Sequence, residues 1–334
     1  MISAVGGGAA GNAPTAGNVP GTPSVNKRKR SYNRDNAELA ILGLPVVAWF
    51  VLFSYLPMFG VIIAFKRYRP LGDNFLDSLM KSEWVGLYNF RFLFQTQDAF
   101  IIFRNTLGYN AIFIVSGILI SVTLAIMMSL LHSKKLAKVT QTFMFLPHFL
   151  SWVVVGYFLF SFLSVDKGLV NSILTSLGKP AIQWYMDKKY WPYLLVFINV
   201  WKGMGYSMVV YLATITGIDV SLYEAAAIDG ATKWQQVRHI VIPMLRPIVT
   251  IMFIMAIGRI FASDFGLFYF VPRSQGTLLE VTQTIDTYVY RALLQQNNIG
   301  FASAASVSQS IAGLITIVGA NFVVRKLDPD NSLF

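Results

Sequence analysis

Three stretches of this chain, 39–65, 105–131 and 139–165, each run for 27 residues without a charged side chain. Three more, 190–218, 247–271 and 299–324, are interrupted only by Lys202, Arg259 and Asp264. About 20 apolar residues suffice for a helix to cross a bilayer. Hydrocarbon offers no water to satisfy the backbone, so a spanning segment must be a helix or part of a closed barrel. Barrel strands alternate polarity over about 10 residues, and these runs do not. The chain therefore reads as an all-α integral membrane protein with six transmembrane helices. Charged residues make up 13% of its 334 positions, about half the share usual in a soluble domain. A soluble fold of that composition could not cover its core.

The same composition narrows the chemistry. There is no cysteine, which removes thiolate nucleophiles, disulfides and Cys-ligated metals. His132, His148 and His239 lie far apart, so no metal-spaced pair exists and no metal site is expected. The net charge of +11 suits an anionic membrane surface, and no nucleic-acid partner is expected. Residues 1–38 read as a disordered basic tail, uncharged over 1–26 and then carrying a cluster, Lys27 to Arg30, which holds the N-terminus on the cytoplasmic side. With six spans both termini share one side. Counting Lys and Arg gives five, three, three and two in the segments on that side, against six, four and two opposite. That balance alone leaves the orientation open.

The segment 219–246 joins spans four and five and carries two helix-start patterns. Ser221–Glu224 and Thr232–Gln235 both fit a capping box, in which the first side chain accepts from the amide three residues on and the third reaches back. Ala225, Ala226 and Ala227 extend the first helix. Gly230 stops it at the position where left-handed backbone is usual. The second helix is expected to run to Ile242, ahead of Pro243, with Trp234, Val237 and Val241 on one face. The loop is thus a helix, a glycine turn and a helix.

Glu224-Ala225-Ala226, then Gly230, then Ile240-Val241-Ile242-Pro243 nine residues later, resembles the EAA motif of ABC importer permeases. Ile242 stands where the motif has leucine. Trp84 to Phe90, which reads WVGLYNF, is similar to an external segment of carbohydrate-type permeases, and Asn105-Thr106-Leu107 opens the second span as theirs does. Residues 55–70 and 201–226 resemble the subfamily that imports oligosaccharides from degraded polysaccharides. The resemblance covers roughly residues 37–334 and implies a type I permease fold in a bacterial inner membrane, with 39–334 as the transmembrane domain and 219–246 as a cytoplasmic coupling loop. It places both termini in the cytoplasm. It implies that Glu224, Ala225, Ala226, Asp229, Gly230, Ile240 and Pro243 couple the chain to an ABC ATPase dimer. Further partners would be a second permease chain, which the subfamily resemblance implies is a different polypeptide, and an extracytoplasmic solute-binding protein.

The residues themselves agree that energy must come from elsewhere. The chain lacks GxxxxGK[ST], so it cannot cradle nucleotide phosphates. ATP and Mg would bind the partner, the chain itself would hold no cofactor, and it would not be an enzyme. Charges inside spans are functional by default. Lys202, Arg259 and Asp264 are candidates for the translocation path, with structural pairing as the competing role. Arg259 and Asp264 are five residues apart, about 140° on a helix and poorly placed to pair. Two cations against one anion would suit an acidic sugar. Trp201 and Tyr206 could stack on sugar rings or belong to the helix bundle. Trp152 and Trp191 favour interfacial anchoring. His148 is open to proton relay or to a hydrogen-bonded place in the bundle. Segment 165–190, with Trp184 and Tyr185, could meet a binding protein or cap the bundle. An ion-gradient-driven transporter is the alternative reading, although it leaves the loop motif unexplained.

Overall fold

A computed structural model describes residues 32–70, 72–91 and 97–327. The tail expected at 1–38 falls outside these except for 32–38, which are helical. The fold divides at Pro57 into two units. In the first, α1 (Tyr32–Phe50) starts earlier than the apolar run and continues through a π turn at Val51–Tyr55. Good helix formers such as Ala37 and Glu38, with no Gly or Pro between 32 and 42, carry the helix outward.

In the second unit, 3-10 turns that end at Phe65 lead into a short antiparallel pair, β1 (Lys66–Arg67) and β2 (Glu83–Trp84), around α2 (Phe75–Lys81). The spans follow. They are α3 (Gln97–Ser129), then α4 (Lys134–Phe145) with α5 (Trp152–Leu163), and beyond a short α6 (Leu169–Ser176), α7 (Trp191–Thr216). The hairpin is built from α8 (Val220–Ile228) and α9 (Lys233–Gln236), and it leads into α10 (Ile242–Gly258). Short helices α11 (Phe265–Phe270), α12 (Leu279–Thr282) and α13 (Ile285–Leu294) precede the last span, α14 (Ile299–Leu327). Among the described residues five helices are long and apolar enough to cross a membrane.

The third expected span, 139–165, is not straight. Its limbs, Lys134–Phe149 and Trp152–Leu163, meet at 98°. Pro147 tightens the end of the first limb into a 3-10 turn, and Leu150 is extended. Ser151 then caps the second limb, its Oγ accepting from the Val154 amide at 3.3 Å. The fifth span also differs from the continuous helix expected over 247–271. It begins further back, since helix runs unbroken from Lys233 to Gly258, and it stops there. Pro243 was expected to end the hairpin helix. Instead a π turn at Val237–Val241 precedes it. The wider register accommodates a ring that would otherwise press on the carbonyl four residues back.

The core of this unit is two clusters along α7. Trp191 and Leu195 pack with Tyr109, Leu267 and Phe268 at one end. Met208, Tyr211 and Ile215 pack with Ala125, Val241 and Leu245 at the other. Trp191 is fully buried, which removes it from the interfacial role expected of it. Its indole donates to the Trp184 carbonyl at 2.7 Å. Gly205 lets α7 lie directly on the end of α4, where any Cβ would stand 2.0 Å from the Met144 carbonyl oxygen.

Asn171 fastens segment 165–190. Its amide donates to the carbonyls of Ser164 (3.1 Å) and Ile182 (3.0 Å), and its oxygen accepts from the Ile182 amide and the Trp184 indole. The Tyr185 hydroxyl bonds the Val271 carbonyl at 3.4 Å, and burial raises its pKa. Lys188 pairs with Glu280, whose carboxyl it holds below the usual carboxylate range. Asn171→Leu should strand several of these partners at once. The expected loss is about 2–4 kcal/mol, read as a drop in the melting temperature of the purified protein. An unchanged melting temperature would refute the fastening role.

Candidate functional site

Two features bring chemistry together: the hairpin and a cavity. In the hairpin the first cap is Asp219, not Ser221. Its Oδ1 accepts from the Ser221 amide at 2.9 Å, a bond that holds the carboxyl below its ordinary pKa. A carboxylate is the stronger partner for the positive helix end, so α8 starts ahead of the expected box and Glu224 has no capping role. The second box forms as read. The Thr232 amide donates to the Gln235 side chain at 2.7 Å, and the Gln235 amide donates to the Thr232 hydroxyl at 3.4 Å. Gly230 has φ +79°, and the next amide, Ala231, reaches back to the Ala226 carbonyl at 2.9 Å. That is the closure a glycine permits at a helix end.

A hollow of about 300 Å³ lies between the two hairpin helices, lined by Ala226, Asp229, Gly230, Gln236, His239 and Ile240 among others. Glu224, Ala225 and Pro243 lie on the surface instead. So do Ile228, 87% exposed, and Trp234, 68% exposed. Val237 and Val241 are buried, and Trp234 lines one apolar groove with Val237, on the face expected of it. An apolar surface of this kind, rimmed by Glu224 and Asp229, is suited to a protein partner.

The cavity measures about 760 Å³ and is lined by α3, α7, α10 and the chain after it. Its polar walls are Asn110, Asn199, Ser207, Arg259, Ser263 and Asp264. Arg259 and Asp264 reach it because the helix breaks between them. After Gly258 the backbone turns through 259–263, and Asp264 caps α11 with bonds to the amides of Gly266 (2.9 Å) and Leu267 (3.3 Å). The 140° argument for a continuous helix therefore does not apply. The break is satisfied from outside. Asn110 of α3 donates to the carbonyls of Ile260 (2.7 Å) and Ala262 (3.1 Å). The amide and hydroxyl of Ser263 both donate to Asp286 at 2.7 Å. Non-helical backbone at membrane depth is tolerated where it lines a cavity and finds such partners.

The other expected path residues lie elsewhere. Lys202 is not on the cavity wall. Its Nζ donates to the His148 carbonyl at 2.8 Å and sits 5.0 Å from the Trp152 ring centre. Trp152 in turn donates its indole N–H to Asp264 at 2.8 Å, which replaces the anchoring role expected of it. Lys202 thus fastens the α4–α5 bend and reaches Asp264 through an aromatic ring. Trp201 packs against the Trp191 cluster. Tyr206 stacks on His148 with ring centres 4.8 Å apart. Asn110, Asn199 and Ser207 were not singled out from the sequence. Two amides inside otherwise apolar runs were the available signal. Arg259 has no carboxylate within ion-pair distance among the described residues.

Comparison with known proteins agrees with this geometry. A family model described as "Binding-protein-dependent transport system inner membrane component" matches residues 117–331. The polygalacturonan/rhamnogalacturonan transport system permease protein YteP of Bacillus subtilis is 34% identical over 302 residues, 90% of this chain and 92% of that protein. The crystal structure of a bacterial ABC transporter involved in the import of the acidic polysaccharide alginate superposes with a TM-score of 0.79 at 31% identity, covering 88% of this chain and 97% of that one. A second structure of a bacterial alginate ABC transporter, in complex with its alginate pentasaccharide-bound periplasmic protein, gives 0.78 at 31% identity, over 88% of this chain and 96% of that one.

Proposed function

The chain belongs to the family of binding-protein-dependent transport system inner membrane components, and on that premise we propose that it forms the membrane path of an ATP-driven importer of acidic oligosaccharides. The observation that carries the substrate class is Arg259, which lines a cavity of about 760 Å³ and has no carboxylate within ion-pair distance among the described residues. The likeness to a permease for polygalacturonan and to importers of alginate supports it. A guanidinium on a cavity wall suits a carboxylate, which it can hold with two parallel hydrogen bonds. The neighbouring hydroxyls and amides suit sugar hydroxyls.

The hairpin is the energy input. Its exposed apolar residues seat against an ABC ATPase dimer, and Gly230 fixes the angle between the two helices. Because helix is continuous from Lys233 to Gly258, a displacement of the hairpin passes along α10 to Arg259 without a joint. The hairpin and both termini are cytoplasmic in this reading. A second permease chain closes the open side of the cavity, and a solute-binding protein delivers substrate at the opposite face. ATP and Mg stay with the ATPase.

The test is uptake by vesicles that hold this chain with its ATPase, second permease and binding protein. ATP should drive accumulation of trigalacturonate. Arg259→Gln should lower that uptake about 10–100-fold, the scale of one charge-assisted hydrogen bond pair, and leave a neutral oligosaccharide within about twofold. Equal loss of both would remove the acidic-sugar assignment. Uptake that ignores ATP and collapses with the ion gradient would favour the ion-driven alternative.

A further inference from the structure

We propose that the turn after α11 forms a second carboxylate-binding site, sized for one uronate ring and separate from the Arg259 cavity. The inference rests on the acidic-oligosaccharide reading above. A pocket of about 270 Å³ lies between α5 and α11, lined by Tyr157, Tyr269, Phe270, Arg273 and Ser274 among others. It is smaller than the roughly 300–1,000 Å³ of sites for drug-sized ligands, which fits a single ring better than a chain. None of these residues lines the larger cavity.

The backbone there is costly by design. The Arg273 amide donates to the Phe270 carbonyl at 3.1 Å and the Ser274 amide to Tyr269 at 3.0 Å. That is a helix-ending motif whose left-handed position is normally glycine. Here Arg273 has φ +54° and Ser274 φ +50°. Two consecutive non-glycine residues hold a conformation that glycine would adopt freely. Strain kept at one place points to a use for the side chains.

The side chains supply a coherent chemistry. The Arg273 guanidinium lies 4.1 Å from the centre of the Phe160 ring and 5.9 Å from that of Tyr157. Its position over aromatic rings is thereby set. Lys81, Lys188 and Arg67 each pair with a carboxylate. Arg273 has no carboxylate within ion-pair distance among the described residues, and its donors suit a planar anion. Tyr157 is 64% exposed and offers an aromatic surface to the apolar face of a sugar ring. The site adjoins the 165–190 cap, because the Tyr185 hydroxyl bonds the carbonyl of Val271, two residues before Arg273. It therefore lies on the side opposite the hairpin, where substrate would enter. An anionic lipid phosphate shares the chemistry of a uronate carboxylate, and the test separates the two.

The membrane complex of this chain, its second permease and its ATPase, without the solute-binding protein, would be placed in nanodiscs of neutral phosphatidylcholine and titrated with trigalacturonate by calorimetry, with maltotriose as the neutral control. The Arg259→Gln variant should retain one uronate site. Adding Arg273→Gly should weaken it about tenfold or more, the loss of a charge-assisted pair. The same glycine should leave the melting temperature unchanged or raised, because it relieves the left-handed strain. A purely structural arginine would show the reverse pair of outcomes. Trigalacturonate binding unchanged by Arg273→Gly would overturn the proposal. So would binding abolished by phosphatidylglycerol in the disc, which would give the site to lipid. Complexes that import no uronate at all would instead refute the substrate class itself.

Discussion

Gly205→Leu is expected to leave almost no assembled protein in the membrane. A Cβ at this position would meet the Met144 carbonyl oxygen at 2.0 Å, its carbon at 2.5 Å and the Phe145 nitrogen at 2.8 Å. All three are backbone atoms, so no rotamer change relieves the clash. The contact joins α7 to the end of α4, just where the third span turns. Spans gain little from the hydrophobic effect among themselves, because lipid is as apolar as their side chains, and they depend on close approach. Forcing α7 outward would also open the Met208 and Tyr211 cluster. A penalty of about 3 kcal/mol or more is expected, which is over a hundredfold in the folded fraction. Gly203 supplies the control, since a Cβ there meets nothing within 4 Å. Yield and monodispersity in detergent should collapse for Gly205→Leu and persist for Gly203→Leu. Similar yields for the two would show that the close approach is not required.

Gly230→Val should separate assembly from coupling. At φ +79° an L residue is disfavoured by about 1–2 kcal/mol, and a β-branched one by more. Nothing lies within 4 Å of a Cβ there, so the effect is one of backbone conformation and not of space. The spans do not depend on this turn, and the variant should accumulate normally. The two hairpin helices would lose their fixed angle. Recovery of the ATPase with the purified chain should fall about tenfold or more, and ATP-driven uptake with it. Gly230→Asn should fall between, because asparagine tolerates left-handed backbone. A valine variant that recruits the ATPase as well as wild type would show that the turn does not set the docking angle.

What could be read in advance follows the range of the interactions. Hydropathy marks the spans because each apolar run reports on its own environment. The Thr232–Gln235 box and Gly230 were readable for the same reason, since cap and turn residues act within a few positions. The first cap was misplaced because Asp219 and Ser221 are both competent, and the carboxylate wins by charge. Pro147 and Ser151 hint at the bend, but a proline alone also fits a kinked helix. The break at 259–264 is harder still. Asp264 can be recognised as a cap, whereas Asn110 and Asp286, which satisfy the freed backbone, come from about 150 residues before and 23 residues after the groups they hold. Lys202 failed as a wall residue for a like reason. The carbonyl that captures it belongs to a bend at which Pro147 and Ser151 only hint.

The bent span also constrains how the protein is made. Its second limb has 12 residues, about 18 Å of helix, against a hydrocarbon core of about 30 Å. The first limb opens with Lys134, Lys135 and Lys138 and is too polar at that end to enter lipid unaided. Neither limb can therefore be released sideways from the insertion machinery as a finished span. Met144 and Phe145 find their seat only when Gly205 has emerged, some 60 residues later in synthesis. Until then the bend has to wait in a protected place. Biogenesis of this chain is accordingly a matter of pairs, with the third span settled by the arrival of the fourth.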